Sequence, residues 1–552
     1  MAEKSEAKMV PTLGLTGVTV NAMALIAPGA FLWITFVIQA GYAFPSGFSM
    51  WFGIFAAILL AYATAISYSE LAKLYPGAGS SYLFAEQAFL GKTHAYRFAR
   101  IAKFVTGWAS HLYYWVYPGV MVATIGVMIG YIVGTVVPST MNSSIPGPIF
   151  MALVAIIAAY GIAWIAYKGV TGSTMVNLVI NAIQIIALLF FSALAISYRI
   201  GHPTGVMGMM LDGTTKALHY GFSADAPSHA SALSVIAPHS FNWVMLQATI
   251  AILLLVGFES VTSLGEEARN PTRDIPRGVL LSITIQCLFM YLIEYYAANY
   301  FMSSAYNLAD AKGSAAPIGD MMTIIGNVML GGHGTAFMLV EAFTVFLALI
   351  GTTLACINTG ARVTYAMGRD EEVPEHFGFL HGENLTPHRA IWTLATISAV
   401  LGAYAALFFF GGSAAPDDKT IASLPHTVWY AMGISSNASM SAWPNGLSLV
   451  TLISNFGTFA VYGLTNIICI IAFREHHMFH GVKHVVIPLF GAVANFSCMA
   501  FYIIGPIEGL GSVKEPLIAV GISVLWGIYG AIYFSRNSRK RGKETVLAAK
   551  PA

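Results

Sequence analysis

The chain has 552 residues, of which 57% are hydrophobic and only 9% charged, with a net charge of +2 and a mean hydropathy of +0.70. Soluble domains carry roughly 25% charged residues, so the composition excludes that class and marks an integral membrane protein. The near-neutral balance, without a basic stripe, excludes nucleic-acid binding.

The opening MAEKSEAKMVPTLGL is short and polar, and no cleavage-like small-residue motif follows the first apolar run, so no removable signal peptide is expected. Taking about 20 apolar residues as one span, the pattern predicts twelve helices: 13–41, 48–72, 102–137, 148–167, 174–198, 241–267, 277–302, 335–363, 388–410, 446–473, 484–505 and 515–535. An even number puts both termini on one side. Of the 27 Lys and Arg, all but Arg199, Lys216, Lys312, Lys419 and Lys514 fall on that side, which places both termini in the cytoplasm by the positive-inside rule. The outer segments 199–240, 303–334 and 411–445 are rich in Ser, Ala, Gly and Pro and read as loops, with a short helix near 320–330. Residues 1–12 form a short tail and 536–552 a basic one, for which attraction to anionic lipid is the ordinary role. Cys287, Cys356, Cys469 and Cys498 lie in apolar segments without metal-ligand or CxxC spacing and read as small buried residues.

Two spans are interrupted at mid-depth. In the first, Ala27-Pro28-Gly29-Ala30 should break the helix, because proline lacks a donor and clashes with the carbonyl four residues back. In the sixth, an apolar run ends at Val256 and is followed by Gly257-Phe258-Glu259-Ser260. A carboxylate near the bilayer midplane costs roughly 2.5–3.5 kcal/mol on insertion scales, so its default reading is a functional site. A proton-bearing Glu bonded to a neighbouring helix is the plain alternative. The two interrupted spans are antiparallel, and paired breaks in inverted halves point to a transporter's substrate site. Half-helix N-termini attract a carboxylate and C-terminal carbonyls a cation, so a zwitterionic amino acid matches both poles.

At this point the residues resemble the amino acid-polyamine-organocation superfamily of permeases. GFESVTSLGEEARNPTRDIPRG (257–278), the stretch from Tyr68 to Gly91 with its Pro-Gly-Ala-Gly turn, and NTGARVTYAMGRDEEVPEHF (358–377) followed by TPHRAIW (386–392) carry the likeness. The resemblance implies an all-α membrane fold with a LeuT-type five-plus-five inverted repeat, 13–198 and 241–473, helices 1 and 6 discontinuous, and two further helices over 474–535. It implies that substrate meets Ala27 to Ala30 and Val256 to Ser260. Phe258 would be a thin aromatic gate, and Glu259 would match an acid that takes part in proton-sensitive gating. Tyr113 and Tyr114 of the third span would wall the pocket, or else be core or interfacial aromatics.

For the coupling ion, proton or sodium, the resemblance divides. Several proton-linked relatives carry a Lys in the fifth helix, where this chain has Gln184. Thr352 and Thr353 resemble a hydroxyl pair that binds sodium together with first-helix carbonyls, a reasonable set for a hard cation, although such hydroxyls commonly bond back to their own helix. Glu294 and Glu341 are further acids in apolar spans, each a proton carrier or a partner of a nearby polar group.

The leading expectation is a secondary transporter of an amino acid in the cell membrane, working by alternating access with no cofactor. The alternative is an amine or polyamine carrier, with Glu259 and Glu341 supplying an anionic pocket. A membrane enzyme using His111 and Glu259 as an acid/base pair is a third reading, unsupported by any catalytic motif. A channel lacks repeated pore-loop signatures.

Overall fold

The computed structural model describes residues 11–547 except 27, 42–48, 78, 93–94, 137–146, 170–172, 203–206, 212–217, 223–231, 239, 303–305, 307, 413–417, 419–432, 475 and 511. Among these residues eleven helices are long and apolar enough to cross a membrane. The first predicted span is described on either side of Ala27, which lies outside the described residues, as Leu15–Ile26 and Pro28–Gly41. Pro28 opens the second piece, where its missing N–H costs nothing.

The sixth span is discontinuous. Its helix Phe241–Leu255 stops at Val256, whose backbone is extended at φ −72°, ψ 134°, and the chain resumes as a 3₁₀ turn over Phe258–Leu264. The second (Met50–Leu74), fourth (Gly147–Lys168), fifth (Ser173–Gly201), eighth (Gly334–Arg369), ninth (His388–Leu407), tenth (Gly446–Phe473) and twelfth (Lys514–Arg541) spans run without interruption.

Two interruptions depart from the sequence reading. The third span divides into Ala99–Tyr114 and Tyr117–Val136, because the ring of Pro118 collides with the carbonyl of Tyr114, four residues back. The seventh carries a π-helical turn, Thr284–Tyr291, between Pro271–Ile283 and Leu292–Phe301. Such wide turns free backbone groups locally and recur at functional sites. The eleventh span likewise starts in a π turn, Val482–Val486, before Ile487–Ile507.

The segment 199–240, read as loop, contains an antiparallel hairpin of Met207–Leu211 with Leu218–Phe222. The expected short helix is present as Pro317–Met329. It packs on the eighth span, and its Asp320 accepts hydrogen bonds from Tyr131 at 2.7 Å and Tyr306 at 2.9 Å.

Burial orders the spans from centre to rim. In its most apolar stretch the sixth span is 94% buried, whereas the twelfth is only 22% buried. The sixth is thus enclosed by protein, and the twelfth presents Leu525 and Ile528 outward as a lipid-facing helix does. The spans meet through small residues, as membrane helices do when backbones approach closely. A Cβ on Gly126 would stand 2.2 Å from the Met151 carbonyl oxygen, so the third and fourth spans touch there without side chains between them. The half-helix Leu15–Ile26 packs against the 3₁₀ turn of the sixth span and against the fifth, seventh and eighth.

Both ends of the described chain are tied to the same side. The Thr12 amide donates to the Glu267 carbonyl at 2.9 Å and the Leu547 amide to the Arg97 carbonyl at 3.0 Å. The start of the basic tail is clasped by protein. Arg100 pairs with buried Glu372 at 2.8 Å and donates to the Glu544 carbonyl at 2.9 Å. Glu371 meets Arg541 at 2.8 Å and Lys543 at 3.0 Å, and the Lys543 ammonium holds its carboxyl below the usual carboxylate range.

Candidate functional site

Gly257 has φ +133°, a region that side chains beyond glycine rarely adopt. The residue is required a second time by close approach: a Cβ there would stand 2.9 Å from Leu25 Cβ and 3.1 Å from the Ile26 amide nitrogen. The Gly257 turn therefore faces the end of Leu15–Ile26, backbone to backbone. Short local bonds hold the turn. The Ser260 hydroxyl donates to the Gly257 carbonyl at 2.6 Å, Thr262 to the Glu259 carbonyl at 2.6 Å and Ser263 to the Ser260 carbonyl at 2.7 Å.

Glu259 is 1% exposed and sits at the hub of a tyrosine cluster. One carboxyl oxygen accepts from Tyr113 at 2.9 Å and Tyr114 at 3.4 Å. The other accepts from Tyr462 of the tenth span at 2.7 Å and from the Gly257 amide at 3.0 Å. An ionised carboxyl has about four lone-pair sites, so these four donors use its acceptor capacity. Among the described residues no Lys or Arg forms an ion pair with it. Phe258 is fully buried, edge-on to Tyr68 with centroids 5.8 Å apart and 5.2 Å from Tyr462.

The end of Leu15–Ile26 is bonded differently. Side chains of other spans reach its carbonyls. Gln286 donates to Met23 at 3.4 Å, Thr352 to Ala24 at 2.9 Å, and the Tyr291 hydroxyl to Ile26. Freed backbone is tolerated inside a membrane only with such partners or along a cavity. On the side of the termini, a cavity of about 30 Å³ is lined by Asn21, Asn177, Ser260, Asn358 and Arg362. Arg362 pairs with Glu267 at 2.6 Å there.

An amino acid permease family model matches residues 11–529. The chain belongs to the amino acid permease family. It is 25% identical over 417 residues to the branched-chain amino acid permease BcaP of Bacillus subtilis, covering 73% of this chain and 76% of that protein. It is likewise 25% identical over 400 residues to the low-affinity putrescine importer PlaP of Escherichia coli, covering 71% and 75%. The protein is thus a multi-pass transporter of the amino acid-polyamine-organocation superfamily, and the enzyme reading falls away. Among the described residues His111 and Glu259 share no hydrogen bond or ion pair: the His111 ring stacks on Trp115 at 4.4 Å, and its Nε2 lies 3.4 Å from the Thr364 hydroxyl.

The permease brings Val256, Gly257, Phe258, Glu259, Ser260, Tyr113 and Tyr114 to one locus against the end of Leu15–Ile26. Pro28, Gly29 and Ala30 start the second half-helix, and Ala27 lies outside the described residues. Gln184 is 1% exposed and its Oε1 stands 3.7 Å from where a Gly29 Cβ would be. Neither of its amide atoms has a hydrogen-bond partner among the described residues. The hydroxyl pair fits sodium only in part. Thr352 reaches a first-helix carbonyl, but Thr353 donates back to Leu349 at 2.7 Å. Glu341 lines a groove between the fifth and eighth spans, whereas Glu259 bonds to Tyr113, Tyr114, Tyr462 and the Gly257 amide, so the two acids share no hydrogen-bond partner among the described residues. Tyr462, Tyr291 and Gln286 are site residues that sequence reasoning missed. A Tyr in an apolar span resembles any core aromatic, and only the amide of Gln286 stood out as polar.

Proposed function

We propose that this permease moves an apolar amino acid across the cell membrane by alternating access, with both termini in the cytoplasm. The observation that carries the reading is the direct apposition of the Gly257 turn to Leu25 and Ile26, the last residues before the Ala27-Pro28 sequence. A half-helix N-terminus at Pro28 and a set of carbonyl ends at Met23 to Ile26 offer opposite poles to a zwitterion.

The flanking side chains favour an apolar substrate over a diamine. Leu25, Ile26, Val256 and Phe258 are all fully buried at this locus. Glu259, the acid an amine would seek, already accepts four hydrogen bonds. The BcaP and PlaP names leave both substrate classes within the family, so the decision rests on the site. Uptake of a labelled panel into proteoliposomes separates them. Uptake of branched aliphatic amino acids, competed by one another and not by putrescine, is expected. Transport of putrescine with no response to neutral amino acids contradicts the reading.

A further inference from the structure

On the side of the termini, beneath the sixth-span turn, one serine holds a backbone shape that suits glycine. The second span ends at Leu74, and a short helix, Ser81–Leu90, follows before the third. Between them Gly79 has φ +121° and Ser80 φ +53°, the latter with ψ −132°. The Tyr82 amide closes the turn by donating to the Gly79 carbonyl at 3.1 Å. Ser80 thus stands at the first central position of a type II′ turn, where glycine is the default. With a Cβ this shape stores strain, and it persists only where the surroundings hold it. Ser80 is 3% exposed, so protein encloses it.

What holds it is the sixth span. The Ser80 and Thr262 hydroxyls lie 2.7 Å apart, and Thr262 also reaches the Glu259 carbonyl at 2.6 Å. One hydroxyl carries one proton, and the carbonyl can only accept. Thr262 therefore gives its proton to Glu259, and Ser80 supplies the proton of the other bond. Glycine in this turn would be relaxed but would lack that hydroxyl. The backbones also meet here: a Cβ on Gly265 would stand 2.6 Å from the Gly77 amide nitrogen. The next residue, Ser81, bonds elsewhere, to Tyr68 of the second span and to Thr465 of the tenth at 2.9 Å. Two adjacent serines thus tie the sixth-span turn to the second and tenth spans. The same turn supplies Ser260 and Leu264 to the cavity of about 30 Å³ that it shares with the first, fifth and eighth spans.

We propose that Ser80 is a strained catch on the inner side of the substrate locus. Its hydroxyl holds the sixth-span turn while the cavity is narrow, and its backbone relaxes when that turn moves away. The bond opposes opening and the strain favours it, so the catch releases readily. Its part in uptake rests on the alternating-access reading above, but the catch itself is measured without substrate. Asn358→Cys puts a reporter thiol on the cavity wall. Cys287, Cys356, Cys469 and Cys498 are buried, and protein without the reporter gives their background. The rate of maleimide labelling at the reporter in purified protein, read by intact mass spectrometry, follows opening. Ser80→Ala keeps the strain and removes the bond, so labelling should be about fivefold faster than in the reporter protein alone. Ser80→Gly removes both, so its rate should lie at least roughly fivefold below that of Ser80→Ala. Loss of a plain hydrogen bond would give the two variants equal rates. Equal rates, or a faster Ser80→Gly, overturn the catch. Should Ser80→Ala not insert, Thr262→Val breaks the bond from the other side, and adding Ser80→Gly to it should slow labelling by the same factor; an unchanged rate overturns the catch. In proteoliposomes, absence of amino acid uptake by wild type contradicts the function proposed above and leaves the labelling order standing.

Discussion

The backbone turn at Gly257 in the sixth span is set largely by its own residues, whereas the end of Leu15–Ile26 in the first span is bonded by its neighbours. At Gly257 the conformation is set within a few residues, by one positive φ, by bonds that Ser260 and Thr262 donate to local carbonyls and by the bond that the Gly257 amide donates to the Glu259 carboxyl. At Ile26 three carbonyl ends depend on Gln286, Tyr291 and Thr352, which belong to other spans. The lesson is about where single changes bite. A locally encoded break concentrates its stability in one residue, and a distributed one spreads it over several.

The largest effect is expected at Gly257. Gly257→Ala imposes a rare backbone conformation, about 1–3 kcal/mol by itself, and drives a Cβ to 2.9 Å from Leu25. Uptake should fall at least tenfold with membrane insertion intact; near-normal uptake would mean that the close approach is not used. Next comes the tyrosine hub. Tyr462→Phe removes the shortest bond to Glu259, 2.7 Å, and a bond to a charged acceptor is worth about 1.5–3 kcal/mol. Roughly tenfold slower transport is expected, with Tyr114→Phe much milder because its contact is 3.4 Å. If Glu259 titrates during transport, Glu259→Gln flattens the pH profile of uptake, and an unchanged profile removes that role.

On the distributed side, Tyr291→Phe and Thr352→Ala should each slow uptake only a few-fold, about 1 kcal/mol apiece. The double variant should lose more than the sum if they brace one element. A loss in Thr352→Ala as deep as that in Gly257→Ala would collapse the contrast. Loss of sodium stimulation alone would instead put an ion at that hydroxyl. The smallest effect belongs to the tail. The Glu371 carboxyl is held below its ordinary range by Lys543, so its clasp is complete above the unfolded value and is lost as pH falls through the lower, folded one. Glu371→Gln should leave uptake unchanged while hastening proteolysis after Arg541 or Lys543.

The same contrast explains what could be read in advance. Pro28 and Gly257 announce breaks by their own stereochemistry, and Glu259 stands out because an acid in an apolar run is costly. Helix spans follow from apolar run length, although Pro118 splits the third where the run alone suggested one rod. Tyr291, Tyr462 and Gln286 act through contacts spanning 203 to 265 residues of chain, which no local pattern carries. The separation of Glu341 from Glu259 is likewise a matter of packing, since both are simply acids in apolar spans until neighbouring helices are placed.

The direct measurement is equilibrium binding of a labelled branched aliphatic amino acid to purified protein in detergent, wild type beside Gly257→Ala. Saturable binding by wild type, weakened at least tenfold in a variant whose thermal unfolding is little changed, is the predicted result. Equal affinity in the two proteins would contradict the claim that substrate is held where the broken helices meet.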